Sequence, residues 1–275
     1  MKKKPSRRKP LKIHIITDLE GAAMVFGFHQ TRGVDDTPAK AEAMRILTGE
    51  VNACIDGILE VDPDAEVVVW DGHGSGGIVY ERFHAGARLL PHRTTRAPYG
   101  LDETFDAVYF VGQHAMAGTP EAPLAHTYSS KTIEHYRLNG VPIGEFGMRA
   151  YMAGTVFDVP VAFLSGDDKA VAEAQALVPE LVGVATKTGT GIESAISLGP
   201  GEARRRIRKG ARRAAKRVRK GKIAPVKLDP PYEWEVRVLE GQEASLAGYL
   251  RRDGATQLDA RTAVIRTADP MQVLR

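Results

Sequence analysis

EVVVWDGHG, residues 66–74, is a run of apolar and β-branched residues that breaks into aspartate, glycine and histidine. A nearly continuous apolar run is what a parallel strand covered on both faces requires. The pattern recurs in KIHIITDLEG at 12–21, in AVYFVGQH at 107–114 and in VAFLSGDD at 161–168. Helical periods lie between the strands. From about Pro38, Met44, Leu47, Val51, Ile55 and Ile58 share one face, with Asp36 or Thr37 as the cap and Pro38 in the first turn. After the fourth strand, Val171, Ala174 and Leu177 or Val178 do the same, and Asp167 is placed to cap them. Alternating strands and helices predict an α/β fold, a mostly parallel sheet covered by helices.

Two stretches depart from that rhythm. Ile133 to Leu138, Asn139-Gly140 and Val141 to Ile143 read as a hairpin with a primed turn, expected as an antiparallel flap on the main sheet. Beyond Pro230-Pro231 come the strands Glu235 to Leu239 and Thr262 to Arg266, a small C-terminal α+β subdomain. The expected organisation is a basic flexible tail over 1–11, an α/β catalytic domain over 12–200, a basic helix over 201–224 and the small subdomain over 225–275.

The charge is unevenly spread. The whole chain carries +4, yet residues 202–222 hold twelve Lys/Arg and one acid, and the remaining 26 basic and 33 acidic groups leave −7. Within the block, Ala203, Ile207, Ala211, Ala214 and Val218 form a thin packing stripe on an otherwise cationic helix. Two readings follow: a structural helix with a solvated face, or a surface for nucleic acid or another polyanion. No aromatic residue is interleaved and the body is acidic, which favours the first. The single cysteine, Cys54, excludes an internal disulfide framework and falls on the apolar stripe of the first helix, as a buried thiol does. No apolar run approaches the roughly 20 residues that span a bilayer, and the basic N-terminus leads into a strand and not a secretory segment, so a cytoplasmic protein without membrane partners is expected.

The chemistry gathers at the strand ends. Asp18 and Glu20, His73, and His114 each fall just past a strand's C-terminal end, and in a parallel sheet these ends share one edge where loops converge on ligands. Asp18 and Glu20 are two apart, so an extended backbone points both carboxylates the same way. Carboxylates and imidazoles without a thiolate suit zinc or a similar divalent ion, in a catalytic rather than a structural site. Asp71, Asp167 and Asp168 lie at the same edge. His14, His29, His84, His92 and His135 have no motif around them.

The segments TDLEG (17–21), WDGHG (70–74), VGQHAMAGTP (111–120) with the following His126, VPIGEFGMRAY (141–151) and SGDDKAVAEA (165–174) resemble the DppA-type D-aminopeptidase family of metallopeptidases, in its order and nearly at its spacing. The resemblance implies a two-zinc site. Asp18 would bridge, Glu20 and His73 would complete one metal position, and His114 and Glu145 the other, with manganese or cobalt as alternative ions. It implies that His126 is the catalytic histidine, as nucleophile, proton shuttle or transition-state donor. It further implies aminopeptidase action on short peptides or aminoacyl amides with D-residues, and a ring-like homo-oligomer.

Overall fold

The computed structural model describes residues 9–32, 37–92 and 96–274. The chain runs β1 (Lys12–Thr17), α1 (Pro38–Leu59), β2 (Glu66–Trp70), β3 (Arg88–Leu90), β4 (Ala107–Gln113), β5 (Ile133–Leu138), β6 (Val141–Ile143) and α2 (Glu145–Tyr151). It continues through β7 (Val161–Asp167), α3 (Asp168–Leu177), β8 (Val182–Gly191), β9 (Ser194–Ser197) and α4 (Pro200–Val218). The last elements are β10 (Tyr232–Val238), α5 (Ala247–Leu250), β11 (Ala255–Asp259), β12 (Thr262–Thr267) and α6 (Pro270–Val273).

Seven strands form the main sheet in the order β3-β2-β1-β4-β7-β8-β9. All its pairings are parallel except β8 with β9, so this is the mostly parallel α/β sheet expected from the strand composition. β1 and β4 sit at its centre. Every residue of β4 and of β7 is buried, which accounts for their unbroken apolar runs. Thr37 caps α1 by accepting from Lys40 N, and Asp167 caps α3 by accepting from Lys169 N and Ala170 N. Cys54 is fully buried on α1, and burial pushes its thiol up, away from the reactive thiolate.

The hairpin departs from expectation. β5 and β6 form the turn at Asn139-Gly140, both at positive φ, but they do not extend the main sheet. They belong to a second, antiparallel sheet ordered β11-β12-β10-β5-β6. β10 alternates buried and half-buried residues along YEWEVRV and pairs with β5 on one side and β12 on the other. The alternation of β10 signals a strand with one packed face; nothing local to the hairpin signals a partner nearly a hundred residues away. Tyr136, Trp234 and Tyr249 meet edge to face beneath this sheet.

The basic helix α4 packs along α1, β7 and β8. Ala203, Ile207, Gly210, Ala211, Ala214 and Ala215 are buried, whereas Val218 is only half-buried. Several cations are spent within the chain. Arg208 and Arg212 meet Glu60, Arg219 meets Asp62, and Arg205 and Arg206 share Glu202. No described helix is long and apolar enough to cross a membrane.

Candidate metal centre

The register of the central strands sets the site. Thr17 of β1 lies opposite Val111 of β4, and Ile16 opposite Trp70 of β2, so the DLEG, DGHG and GQH segments emerge side by side. Two backbone hydrogen bonds tie the first to the third: Asp18 N donates to Val111 O at 2.9 Å, and Gly21 N to Gly112 O at 2.7 Å. This approach requires glycine at both positions. A Cβ on Gly112, whose φ is +83°, would stand 2.0 Å from Asp18 O, and one on Gly21 would stand 2.0 Å from Gln113 O.

A buried lysine and a buried glutamate hold the loop after β1 from below. Lys187 on β8 donates its ammonium to the carbonyls of Glu20, Ala22 and Val25, and Thr186 Oγ1 donates to Gly21 O at 2.9 Å. Burial pulls the Lys187 ammonium down to about 8. Glu50 on α1 accepts from Ala23 N at 2.9 Å, and burial pushes its carboxyl up to about 7. Neither residue carries a sequence signal. Lys187 sits in the glycine- and threonine-rich VGVATKTGTG, and Glu50 interrupts an apolar helix face.

Glu50 gives a stability prediction. Its ordinary pKa is 4.5, so the unfolded chain ionises there well before the folded protein does near 7. The stability carried by the protonated form is complete below pH 4.5 and is lost as pH rises through 7. Glu50→Gln, which keeps the acceptor for Ala23 N but cannot ionise, should therefore gain on the parent by on the order of 2–3 kcal/mol between pH 4.5 and pH 8. Denaturant unfolding at the two pH values measures this. An unchanged gap would show that Lys187 fully compensates the carboxylate.

Six ligand-type side chains converge above this loop in two groups. Asp18, Glu20 and His73 each offer a donor atom within 4.8 Å of the others, and so do His114, His126 and Glu145. His73 Nε2 lies 3.2 Å from Glu20 Oε1. His114 Nε2 lies 3.1 Å from Asp18 Oδ2 and 3.4 Å from Glu145 Oε1, joining the groups. His126 Nε2 lies 3.7 Å from Glu145 Oε1, and its ring stacks on that of His114 at 4.0 Å. Glu145 is the first residue of α2, delivered by the hairpin of the second sheet, and its Oε1 accepts from Tyr128 N at 2.7 Å. All six residues singled out in the sequence therefore meet in one place.

The imidazoles are oriented from behind. His73 Nδ1 faces Gly76 O at 3.3 Å, His114 Nδ1 faces Ala115 O at 2.9 Å and His126 Nδ1 faces Leu124 O at 2.8 Å. For His114 and His126 a carbonyl opposite Nδ1 makes that nitrogen the donor and leaves Nε2 as the free ligand or base, whereas His73 Nδ1 also accepts from Ser75 N at 3.4 Å. Each Nε2 points at the carboxylates. Glu20 Oε2, buried in the cluster, has no hydrogen-bond partner, and His114 Nε2, though close to two carboxylates, has no well-aligned one. Orphaned donor atoms amid nitrogen and oxygen ligands fit a divalent cation.

The electrostatics agree. Burial, reinforced by the Glu20 charge, pushes Asp18 up to about 7. Burial alone would raise Glu145 too, but the close, charged His114 imidazole outweighs it and holds the carboxyl at about 2. Burial works against a charged His73, yet Glu20 beside it raises the imidazole to about 9. His126 goes the other way: burial, then the neighbouring His114 charge, lowers it and favours a neutral ring. The cluster is a set of crowded carboxylates neutralised by protons that a metal ion would displace.

A cavity of about 440 Å³ opens over Asp18, Glu20, His73, His126 and Glu145. Its other wall contains Trp70, Tyr99, Tyr128 and Arg149, none of which was singled out in the sequence. Arg149 lies in the segment VPIGEFGMRAY, but no pattern there marks it as buried. Asp71, expected near the edge, accepts from Gly77 N at 2.8 Å and shapes the loop that carries His73. His14 lies inside β1, packed against Phe105 and bonded to Tyr99 O, away from the cluster.

Comparison with known proteins identifies relatives of the chain. A D-aminopeptidase of Bacillus subtilis (strain 168) is 32% identical over 225 residues, 80% of this chain and 78% of its own length. A solved structure, described as the Zn-dependent D-aminopeptidase DppA from Bacillus subtilis, a self-compartmentalizing protease, superposes with a TM-score of 0.86 at 25% identity, covering 96% of this chain and 94% of that one. The sequence profile of the D-aminopeptidase peptidase family matches residues 11–275, and the chain belongs to that family.

Proposed function

We propose that the chain is a zinc-dependent aminopeptidase that releases the N-terminal residue, with D-preference, from short peptides or aminoacyl amides. The observation that carries this reading is the paired cluster itself: two groups of three ligand-type side chains, joined through His114 and aimed by backbone carbonyls. Asp18 lies between the groups and would be shared; Glu20 and His73 would complete one zinc position, and His114 and Glu145 the other. Zinc held there supplies Lewis acidity toward the scissile carbonyl and lowers the pKa of water, and manganese or cobalt would serve similarly.

The chain's own residues account for the remaining steps. The carboxylates of an otherwise acidic body attract a substrate's free α-ammonium group. His126, kept neutral with Nδ1 donating to Leu124 O, presents a basic Nε2 to the cavity. That nitrogen takes up a proton as water adds to the carbonyl and returns it to the leaving amine. The cavity volume suits a peptide of a few residues. The self-compartmentalizing description of the DppA structure supports a ring-like homo-oligomer here.

A panel of D- and L-aminoacyl amides and dipeptides, assayed with and without a chelator, tests the reading. D-substrates should be cleaved at their first residue and chelation should abolish turnover, with zinc restoring it. Chelator-resistant turnover, or none on any member after zinc is added, would remove the proposal.

A further inference from the structure

A buried cation in the cavity wall forms no ion pair with any carboxylate of the described residues. Arg149 lies four residues after Glu145 on α2, on the same helix face. It is 7% exposed. Its guanidinium carbon lies 4.1 Å from the centre of the Tyr99 ring and 5.4 Å from those of Trp70 and Tyr128. Trp70 and Tyr99 stack at 3.9 Å, so the rings form a rigid aromatic cradle. Nη1 has no hydrogen-bond partner. Glu145 acts on the guanidinium only through space, and its own Oε1 already faces His114 and Tyr128 N.

Burying an unpaired cation is costly, and ring faces offset only part of that cost. A planar guanidinium in a cavity wall is suited to receive a carboxylate through two parallel hydrogen bonds. Among the described residues no carboxylate forms an ion pair with it, so the complement is sought in the substrate. One helical turn, about 5.4 Å, separates Arg149 from Glu145 along α2. An extended peptide advances at most about 3.6 Å per residue, so a terminal carboxylate one or two residues past the scissile bond spans that separation. The cavity also holds Arg32 and Lys131, but Arg32 already donates to Ser130 Oγ and Lys131 is exposed to water.

We propose that Arg149 receives the C-terminal carboxylate of the substrate, which makes the site selective for di- and tripeptides with a free carboxyl end over their amides. This rests on the aminopeptidase reading above and specifies the substrate within it. The aromatic cradle holds the guanidinium in place, so the fork is formed before the peptide arrives.

D-alanyl-glycine and D-alanyl-glycinamide are alike around the scissile bond and differ in terminal charge. The zinc-loaded full chain should show kcat/KM at least about tenfold higher for the free acid, and in Arg149→Gln the acid-to-amide ratio should fall to within about twofold with zinc content unchanged. Arg149→Lys, which keeps the charge but not the fork, should retain part of the preference and serves if the glutamine variant does not fold. Equal kcat/KM for acid and amide in the parent, which needs no variant, would overturn the assignment. A variant that kept the parent's ratio would overturn it too. Cleavage of neither dipeptide would remove the aminopeptidase reading and this assignment with it, whereas equal cleavage of both removes the carboxylate contact alone.

Discussion

His126→Ala should lower kcat by about 10²–10⁴ while leaving bound zinc unchanged, the range general acid–base catalysis contributes. The expectation follows from how the ring is held. Its Nδ1 is committed to Leu124 O at 2.8 Å, and its Nε2 stands 3.7 Å from Glu145 Oε1, the longest of the imidazole–carboxylate separations in the cluster. Burial and the His114 charge lower its pKa, so the ring is neutral at physiological pH and able to accept a proton. In the parent, kcat/KM should fall as acid titrates this imidazole, and the variant should lose that limb of the pH profile. Because His126 also lies within ligand reach of His114 and Glu145, the metal assay decides between roles. Loss of zinc together with activity would make His126 a ligand and not the proton carrier.

Asp18→Ala should be more severe in a different way, abolishing detectable turnover and reducing zinc by at least one equivalent per chain. Asp18 is the residue through which the two groups communicate. Its Oδ1 accepts from Leu19 N at 2.9 Å, and its Oδ2 faces His114 Nε2 at 3.1 Å. A shared carboxylate reduces the repulsion between two nearby cations, and no neighbouring acid occupies an equivalent place. Glu20 is turned toward His73, and Glu145 toward His114 and Tyr128 N. The folded chain should survive the substitution, because Lys187, Glu50 and the Gly21–Gly112 backbone contact hold the loop independently of the Asp18 side chain. A variant that retained both zinc equivalents would show that the two positions are held separately.

The central strands and the site were legible because one physical constraint wrote both. β1 and β4 are buried on both faces and β2 on one face and at its C-terminal end, so they read as apolar runs, and the polar residues that end them lie where a parallel sheet presents its ligands. Glu145 was different. It reaches the cluster through a hairpin whose strand pairing is to β10, and only family resemblance placed it there. β8 and β9 carry glycine, threonine, serine and lysine where a strand pattern would need apolar residues, and β3 is three residues long, so none of them announced itself. Lys187 and Arg149 were illegible for a common reason. A buried cation is recognised by what surrounds it, three carbonyls in one case and three aromatic rings in the other, and those partners are scattered along the chain.

The histidines show the same division. Eight occur in the sequence, and the three that share glycine-rich or loop motifs with the family segments are the ones brought together. His14 sits within an apolar strand; it is buried, lowered to about 4 and bonded to Tyr99 O, a neutral core residue. What separates the cluster from His14 is the partner of Nε2, which faces carboxylates in the cluster and the Tyr99 carbonyl in His14; His84 and His135 each face a carboxylate too, Asp56 and Glu235, but away from the cluster.

Zinc titration of the metal-stripped wild-type chain, with bound metal and D-aminopeptidase activity followed together, tests the two-metal proposal most directly. It predicts two equivalents per chain, proton release on binding as the protonated imidazoles give up their protons, and activity that rises with occupancy. Saturation at one equivalent or none, or full activity in the stripped protein, would contradict it.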